Sequence, residues 1–259
     1  MVYIVGAGPG AEDLITVRGA RLLKEADVVI YAGSLVNPGL LKETKAGCRI
    51  YNSAVMTLEE VVDAIREAEE RGLMTVRLHT GDPCLYGAVR EQMDAMDSLG
   101  IAYEVCPGVS SFCGAAAALK MEYTLPGISQ SAVITRMAGR TPVPERESIR
   151  SWAAHRSTMV IFLSAGLLGE LSRELIAGGY ERTDPAAIVY KATWPDEKIV
   201  RCTIEELEKA AAEAGIKKTA LIIAGPAAAQ TGYGRSMLYH PEFTTEYRGK
   251  STAEKGKKE

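Results

Sequence analysis

Three short strand-like runs in the first half of the chain each end in a loop of glycine, proline and small polar residues. Val2-Tyr3-Ile4-Val5 leads into Gly6-Ala7-Gly8-Pro9-Gly10, and Thr75-Val76-Arg77-Leu78-His79 into Thr80-Gly81-Asp82-Pro83. Ala102-Tyr103-Glu104-Val105-Cys106 leads into Pro107-Gly108-Val109-Ser110-Ser111. Open α/β sheets bind ligands at loops beyond the carboxyl ends of parallel strands. Glycine there lets a ligand approach the backbone with no Cβ in the way. Three such loops in one half of a chain point to a shared pocket.

The 259 residues suffice for one large α/β domain or two smaller ones. Apolar residues make up 47% of the chain, enough for an extensive core, and 24% are charged. A net charge of −3 argues against a nucleic-acid surface, which needs excess basic residues to neutralise phosphates. Cys48, Cys84, Cys106, Cys113 and Cys202 are odd in number and contain no C-x-x-C pair. That usage fits a reducing compartment better than a disulfide framework or a zinc site. No apolar run approaches the ~18 residues of a membrane span, and no signal-peptide pattern precedes the first strand. The expectation is a soluble, cytoplasmic protein that binds neither nucleic acid nor membrane.

Strand and helix signals alternate along the first half. The pattern predicts strands near 2–5, 27–31, 48–51, 73–79 and 101–106, with helices near 13–25, 57–71, 84–98 and 109–120. The helix over 57–71 is clearest: Thr57 and Glu60 fit a capping box, Leu58, Val61, Val62, Ile65 and Ala68 form an apolar face, and Gly72 stops it. Such alternation implies βαβ crossovers and a mostly parallel sheet. A second series of strands is predicted near 129–135, 158–164, 186–191, 197–202 and 219–224, with helices near 144–154, 166–177 and 203–214. Thr203 and Glu206 fit a further capping box. Residues 136–144, rich in glycine and proline, are expected to form a long functional loop. The chain divides into an α/β domain over 1–118, a second over 119–243 and a disordered tail over 244–259.

Single motifs are weak guides. Gly6-Ala7-Gly8-Pro9-Gly10-Ala11 fits a permissive dinucleotide fingerprint, which keeps a nicotinamide-dependent oxidoreductase under consideration. Against it, the second strand ends in Tyr31-Ala32-Gly33 without a ribose-binding acid, and Glu12 and Asp13 would repel a pyrophosphate. Asp82-Pro83 is by itself an ordinary helix start, and Ser110 or Ser111 an ordinary cap. His79, His155 and His240 show no ligand spacing, so no metal site is expected. Arg136 and Arg140 are either solvated charges or grips for carboxylates on the long loop.

Together these segments resemble the tetrapyrrole (corrin and porphyrin) methyltransferases. The likeness rests on Val5–Gly10 with Asp13-Leu14-Ile15-Thr16 and Arg18-Gly19, and on Ala26-Asp27-Val28-Val29. It continues through Gly81-Asp82-Pro83 with Tyr86-Gly87, and Pro107-Gly108-Val109-Ser110-Ser111. Tyr31–Asn37, His79–Pro83, Ser129-Gln130, Thr135-Arg136, Gly139–Pro144 and Ile161–Ser164 are most similar to the branch that methylates C11 of precorrin-4 or its cobalt form in cobalamin synthesis. The resemblance implies two α/β domains, the first sheet mostly parallel and the second mixed, with the active cleft between them. It implies S-adenosylmethionine as methyl donor, a tetrapyrrole substrate and a homodimer. Cofactor contacts are expected from Pro9, Gly81, Asp82, Leu85, Ser110, Ser111, Leu163, Ala192 and Ala224, and substrate contacts from Arg136 and Arg140. No catalytic base is carried over, because the region around Gly33 lacks the acid that sirohaem-forming relatives carry there. Another ring position, the diphthamide-forming enzyme of the same fold, and a non-catalytic tetrapyrrole-binding protein stand as alternatives.

Overall fold

Short, strongly apolar strands separated by capped helices build two sheets in the computed structural model, which describes residues 1–249. The first sheet contains β1 (Val2–Gly6), β2 (Val28–Tyr31), β3 (Arg49–Asn52), β4 (Thr75–His79) and β5 (Tyr103–Cys106). Its order is β3-β2-β4-β1-β5 and every pair is parallel. Helices α1 (Val17–Glu25), α2 (Leu58–Glu70) and α3 (Arg90–Ser98) lie in the connections between its strands. Val5, Val29 and Leu78 pack with Leu22 and Leu23 of α1 on one face. Ile4 and Ile30 pack with Ile65 of α2 and Met96 of α3 on the other. Each fully buried side chain of this size stabilises by about 1.5–3 kcal/mol.

Helix α4 (Ser111–Leu119) leads into the second sheet: β6 (Ala132–Arg136), β7 (Thr158–Phe162), β8 (Pro185–Tyr190), β9 (Lys198–Thr203) and β10 (Ala220–Ala224). The order is β6-β7-β10-β8-β9, with β6 parallel to β7 and the other pairs antiparallel. Helices α5 (Ile149–Ala153), α6 (Leu168–Gly178) and α7 (Leu207–Glu213) cover one face, over Met159, Ile161, Ile188 and Ile222. On the other face, Ala115 and Leu119 of α4 pack against Val160, Phe162, Val189 and Ile223. Helix α4 thus completes the second core although it directly follows the third glycine loop.

The expected capping box of α2 is present: the Thr57 amide donates to Glu60 at 2.7 Å, and the Glu60 amide donates to the Thr57 hydroxyl at 3.3 Å. Four helix starts lie well after the sequence expectation. Those expected from 144 and 203 begin at Ile149 and Leu207, after 3₁₀ turns over Glu145–Glu147 and Ile204–Glu206. The helix expected from 13 begins at Val17, where the Thr16 hydroxyl accepts from the Gly19 amide, and Glu12–Leu14 form a separate 3₁₀ turn. The helix expected from 84 begins at Arg90, because Tyr86 and Ala88 hold left-handed backbone that no α-helix can contain. At the end of the described residues, Arg248 donates to the carbonyls of Leu238, His240 and Phe243 and pairs in a bridge with Thr245. The rest of the tail expected to be disordered lies outside the described residues.

Candidate active site

Strands β4, β1 and β5 are neighbours, so the three glycine loops leave the sheet side by side. They meet backbone to backbone. A Cβ on Gly6 would stand 2.5 Å from the Gly108 Cα and 2.6 Å from the Gly81 carbonyl oxygen. Gly8 and Gly81, both left-handed, exchange hydrogen bonds: Gly81 N to Gly8 O at 2.8 Å and Gly8 N to Gly81 O at 3.2 Å. Only glycine permits both the approach and the conformation.

Asp82 ties two of these loops together. Its carboxylate accepts from the Cys84 amide at 2.8 Å and, across the cleft between strands, from the Gly108 amide at 2.8 Å. Partial burial pushes its pKa up, but the hydrogen bonds from Cys84 and Gly108 outweigh it and hold the carboxyl below its ordinary value. Asp82 is therefore a loop clamp, and no helix starts at Asp82-Pro83.

A cavity of about 720 Å³ opens against these loops and is closed from the other side by the second sheet. Pro9, Gly81, Asp82, Leu85, Ser110 and Ser111 line it from the first half, and Leu163 and Ala192 from the second. These are eight of the nine expected cofactor contacts. Ala224 is elsewhere. Strand β10 runs antiparallel to β7, pairing Ile222 with Ile161 and Ala224 with Met159, so its first residues lie beside the cavity and its last are buried at the far end. Thr219, Ala220 and Leu221 line the cavity where Ala224 was expected. Leu163 itself has left-handed backbone and is 70% exposed, an apolar side chain held towards open space directly after β7.

Arg136 and Arg140 do not line the cavity. The Arg136 guanidinium braces its own loop, donating to the carbonyls of Met137, Thr141 and Pro142 at 3.0–3.3 Å. Arg140 is exposed and has no ion pair among the described residues. Tyr86, Phe162, Trp194 and Lys217–Lys218 do line it and were not foreseen as site residues. Nothing else in their local sequence marks them, apart from Tyr86 and Phe162 each lying within a motif of the resemblance.

The two halves are clasped at the rim. Trp194 donates from Nε1 to the Pro9 carbonyl at 3.1 Å, and the Ala11 amide donates to the Thr193 hydroxyl at 2.9 Å. A Cβ on Gly10 would run into the Trp194 ring. Lys191 lies 5.2 Å from the Trp194 ring and is paired to Asp196 at 2.7 Å, which holds the indole in place. The Gly6–Gly10 loop thus faces a tryptophan, and α1 starts only at Val17, so no helix N-terminus points at these glycines as a dinucleotide site requires.

Beneath the loops, β4 carries a buried polar face of Thr75, Arg77 and His79. Burial pushes Arg77 down to about 10, so it remains charged at neutral pH. Burial and the neighbouring Arg77 charge push His79 down to about 3, so it is neutral, and its Nε2 has no hydrogen-bond partner. Among the described residues no group of three His, Cys, Asp or Glu could hold a metal ion, and no helix is long and apolar enough to cross a membrane.

The sequence pattern of the Tetrapyrrole (Corrin/Porphyrin) Methylases matches residues 1–208. A cobalt-precorrin-4 C(11)-methyltransferase of Methanocaldococcus jannaschii is 51% identical over 247 residues, 95% of each chain. Among solved structures, a cobalt precorrin-4 methyltransferase, CbiF, superposes with a TM-score of 0.86 at 47% identity, covering 88% of this chain and 95% of the other. Uroporphyrin-III C-methyl transferase from Thermus thermophilus, complexed with S-adenyl homocysteine, matches with a TM-score of 0.75 at 28% identity, over 89% of this chain and 99% of that one.

Proposed function

The chain belongs to the tetrapyrrole (corrin/porphyrin) methylases, and from that premise we propose that it transfers a methyl group from S-adenosylmethionine to C11 of precorrin-4 or cobalt-precorrin-4, in cobalamin synthesis. The observation that carries the reading is the 51% identity to a C11-methyltransferase along 95% of both chains. The cavity supports it. Its volume of about 720 Å³ is that of a small-molecule site, and its walls combine apolar Leu85, Phe162, Leu163 and Ala192 with a few polar groups at Asp82, Ser110 and Ser111. A nucleoside with a thioether or sulfonium tail needs that mixture.

When bound, the cofactor supplies an electrophilic methyl group on a sulfonium sulfur. The glycine loops offer backbone groups at close range, and the Asp82 carboxylate sets the spacing of the second and third loops. Ser110 and Ser111 place hydroxyls at the cavity wall. Leu163 and Ala192 exclude water from the opposite side. Transfer to an electron-rich ring carbon depends on alignment and dryness more than on a strong base. No base is assigned. Arg136 remains a candidate for macrocycle carboxylates, although its guanidinium already holds the carbonyls of Met137, Thr141 and Pro142. A homodimer in the cytoplasm belongs to the same reading.

Incubation with carbon-labelled cofactor and each form of the macrocycle, followed by carbon NMR of the product, tests the proposal. The expected label is on C11. A label on another ring carbon rejects the assignment within the family, and no transfer to any tetrapyrrole rejects the substrate class. Sedimentation at micromolar concentration tests the dimer, which a monomer rejects.

A further inference from the structure

Arg77 is buried, and no carboxylate pairs with it among the described residues. A buried guanidinium without a counter-ion is costly unless its donors are satisfied by strong acceptors. Here Nε donates to the Gln92 carbonyl oxygen at 2.8 Å and Nη1 to the Ile30 carbonyl at 3.0 Å. Gln92 is itself 6% exposed, and with its oxygen held by Arg77 its amide nitrogen can only face the other way. That nitrogen donates to the Ala88 carbonyl at 2.9 Å. The charge under the sheet is thus relayed to the turn between β4 and α3.

That turn is strained. Tyr86 and Ala88 have φ of 55° and 47°, conformations that L side chains resist. Between them, a Cβ on Gly87 would run into the Pro83 carbonyl. Such a backbone persists only where its surroundings over-determine it. Its effect is to carry the Tyr86 side chain across the cleft. The ring lies 5.3 Å from that of Phe162, the last residue of β7 in the other half, and 43% of Tyr86 is exposed along the cavity wall. Burial pushes the Tyr86 phenol pKa up, and the Arg136 charge opposes that rise.

We propose that Tyr86 is a contact residue for the macrocycle, closing the cavity against Phe162, and that Arg77 and Gln92 are its positioning residues, holding the strained turn through the Ala88 carbonyl. The inference rests on the methyltransferase reading, because a broad π-system is the ligand an exposed aromatic face would recognise. The phenol edge is placed to donate to a peripheral carboxylate of that ring.

The test separates macrocycle from cofactor. Cobalt-precorrin-4 is titrated by absorbance into the protein saturated with S-adenosylhomocysteine, and S-adenosylhomocysteine binding is measured by calorimetry. Tyr86→Ala is expected to raise the macrocycle Kd about tenfold while changing cofactor Kd less than about twofold, and Tyr86→Phe to recover most of the loss. Gln92→Glu keeps an acceptor for Arg77 but cannot donate to Ala88, so the fold should survive while the turn is released. Its expected signature is faster amide hydrogen exchange over 84–89 and a several-fold rise in macrocycle Kd at unchanged melting temperature. Unchanged macrocycle affinity in Tyr86→Ala, an equal loss of cofactor affinity, or unaltered exchange in Gln92→Glu overturns the inference. A wild-type protein that binds the macrocycle but methylates another carbon overturns the C11 assignment and leaves this one standing. Absence of macrocycle binding overturns both.

Discussion

The cavity has two walls built by different rules. The wall from the first half is backbone: Gly6, Gly81 and Gly108 pack main chain on main chain, and Asp82 ties the loops by accepting from two amides. The wall from the second half is side chain: Leu163, Ala192 and Trp194 project from strand ends and from the loop after β8. A parallel sheet sends all its strand-end loops to one edge, so backbone loops can converge there. A mixed sheet presents strand starts and strand ends at the same edge, and the surface depends on which side chains stand there. The first wall should therefore tolerate almost no added atom, and the second should tolerate change with local consequences.

The sharpest break of this contrast is Gly108→Ala. The new methyl would meet the Gly81 carbonyl and the Gly6 backbone, which cannot move without the sheet. A loss of about 4 kcal/mol or more, or no folded protein, is expected in urea denaturation. On the second half's long loop, a methyl added to Gly139 would meet no atom within 4 Å, and that residue has no left-handed φ. Gly139→Ala should stay within about 0.5 kcal/mol of the parent. Equal effects would end the distinction.

Trp194→Ala probes the clasp between the walls. It removes the bond to the Pro9 carbonyl and the packing on Gly10, at an expected cost of about 2 kcal/mol. Because the halves have separate cores, the unfolding transition should also broaden towards two steps. A single sharp transition at unchanged stability would show that the clasp contributes little.

His79 offers a pH test of the first half alone. Folded His79 stays neutral down to about pH 3, because burial and then the Arg77 charge oppose protonation. The unfolded residue gains its proton below about 6.5. Between these values the unfolded state binds more protons, so stability rises with pH and falls as pH drops below 6.5. The limiting slope is about 1.4 kcal/mol per pH unit. Unfolding free energies between about pH 6.5 and 5 should steepen towards this slope in the parent and stay flatter in His79→Phe. Parallel slopes would exclude His79 as the source.

A similarly small stability effect is expected from Leu163→Gly. Relief of the left-handed strain is offset by the greater freedom of glycine in the unfolded chain, leaving a net change of about 0.5 kcal/mol or less. Calorimetry should nevertheless find weaker S-adenosylhomocysteine binding, since an apolar wall is lost. Unchanged affinity would remove Leu163 from the site.

Much of this was legible in the chain. Thr57 and Glu60 announce α2 because a capping box is local, and the glycine loops announce a site because close approach requires that residue type. Asp82-Pro83 reads as a helix start, yet its carboxylate turns to Gly108, a partner 26 residues away. Tyr86 and Trp194 carried no signal of their own, since each acquires its place from the opposite half of the molecule.

The sequence by itself determined the alternation of elements, the caps, and the loops where backbone would be exposed to a ligand, because these depend on near neighbours and on what glycine alone can do. Tertiary structure decided which strands lie side by side and which way they run. Strand β10 is buried along its whole length, and an apolar run of that kind reads the same in either direction. Its pairing with β7 and β8 turns Ala220 towards the cavity and buries Ala224 at the other end. Strand direction is set by partners across the sheet, and no single strand contains that information.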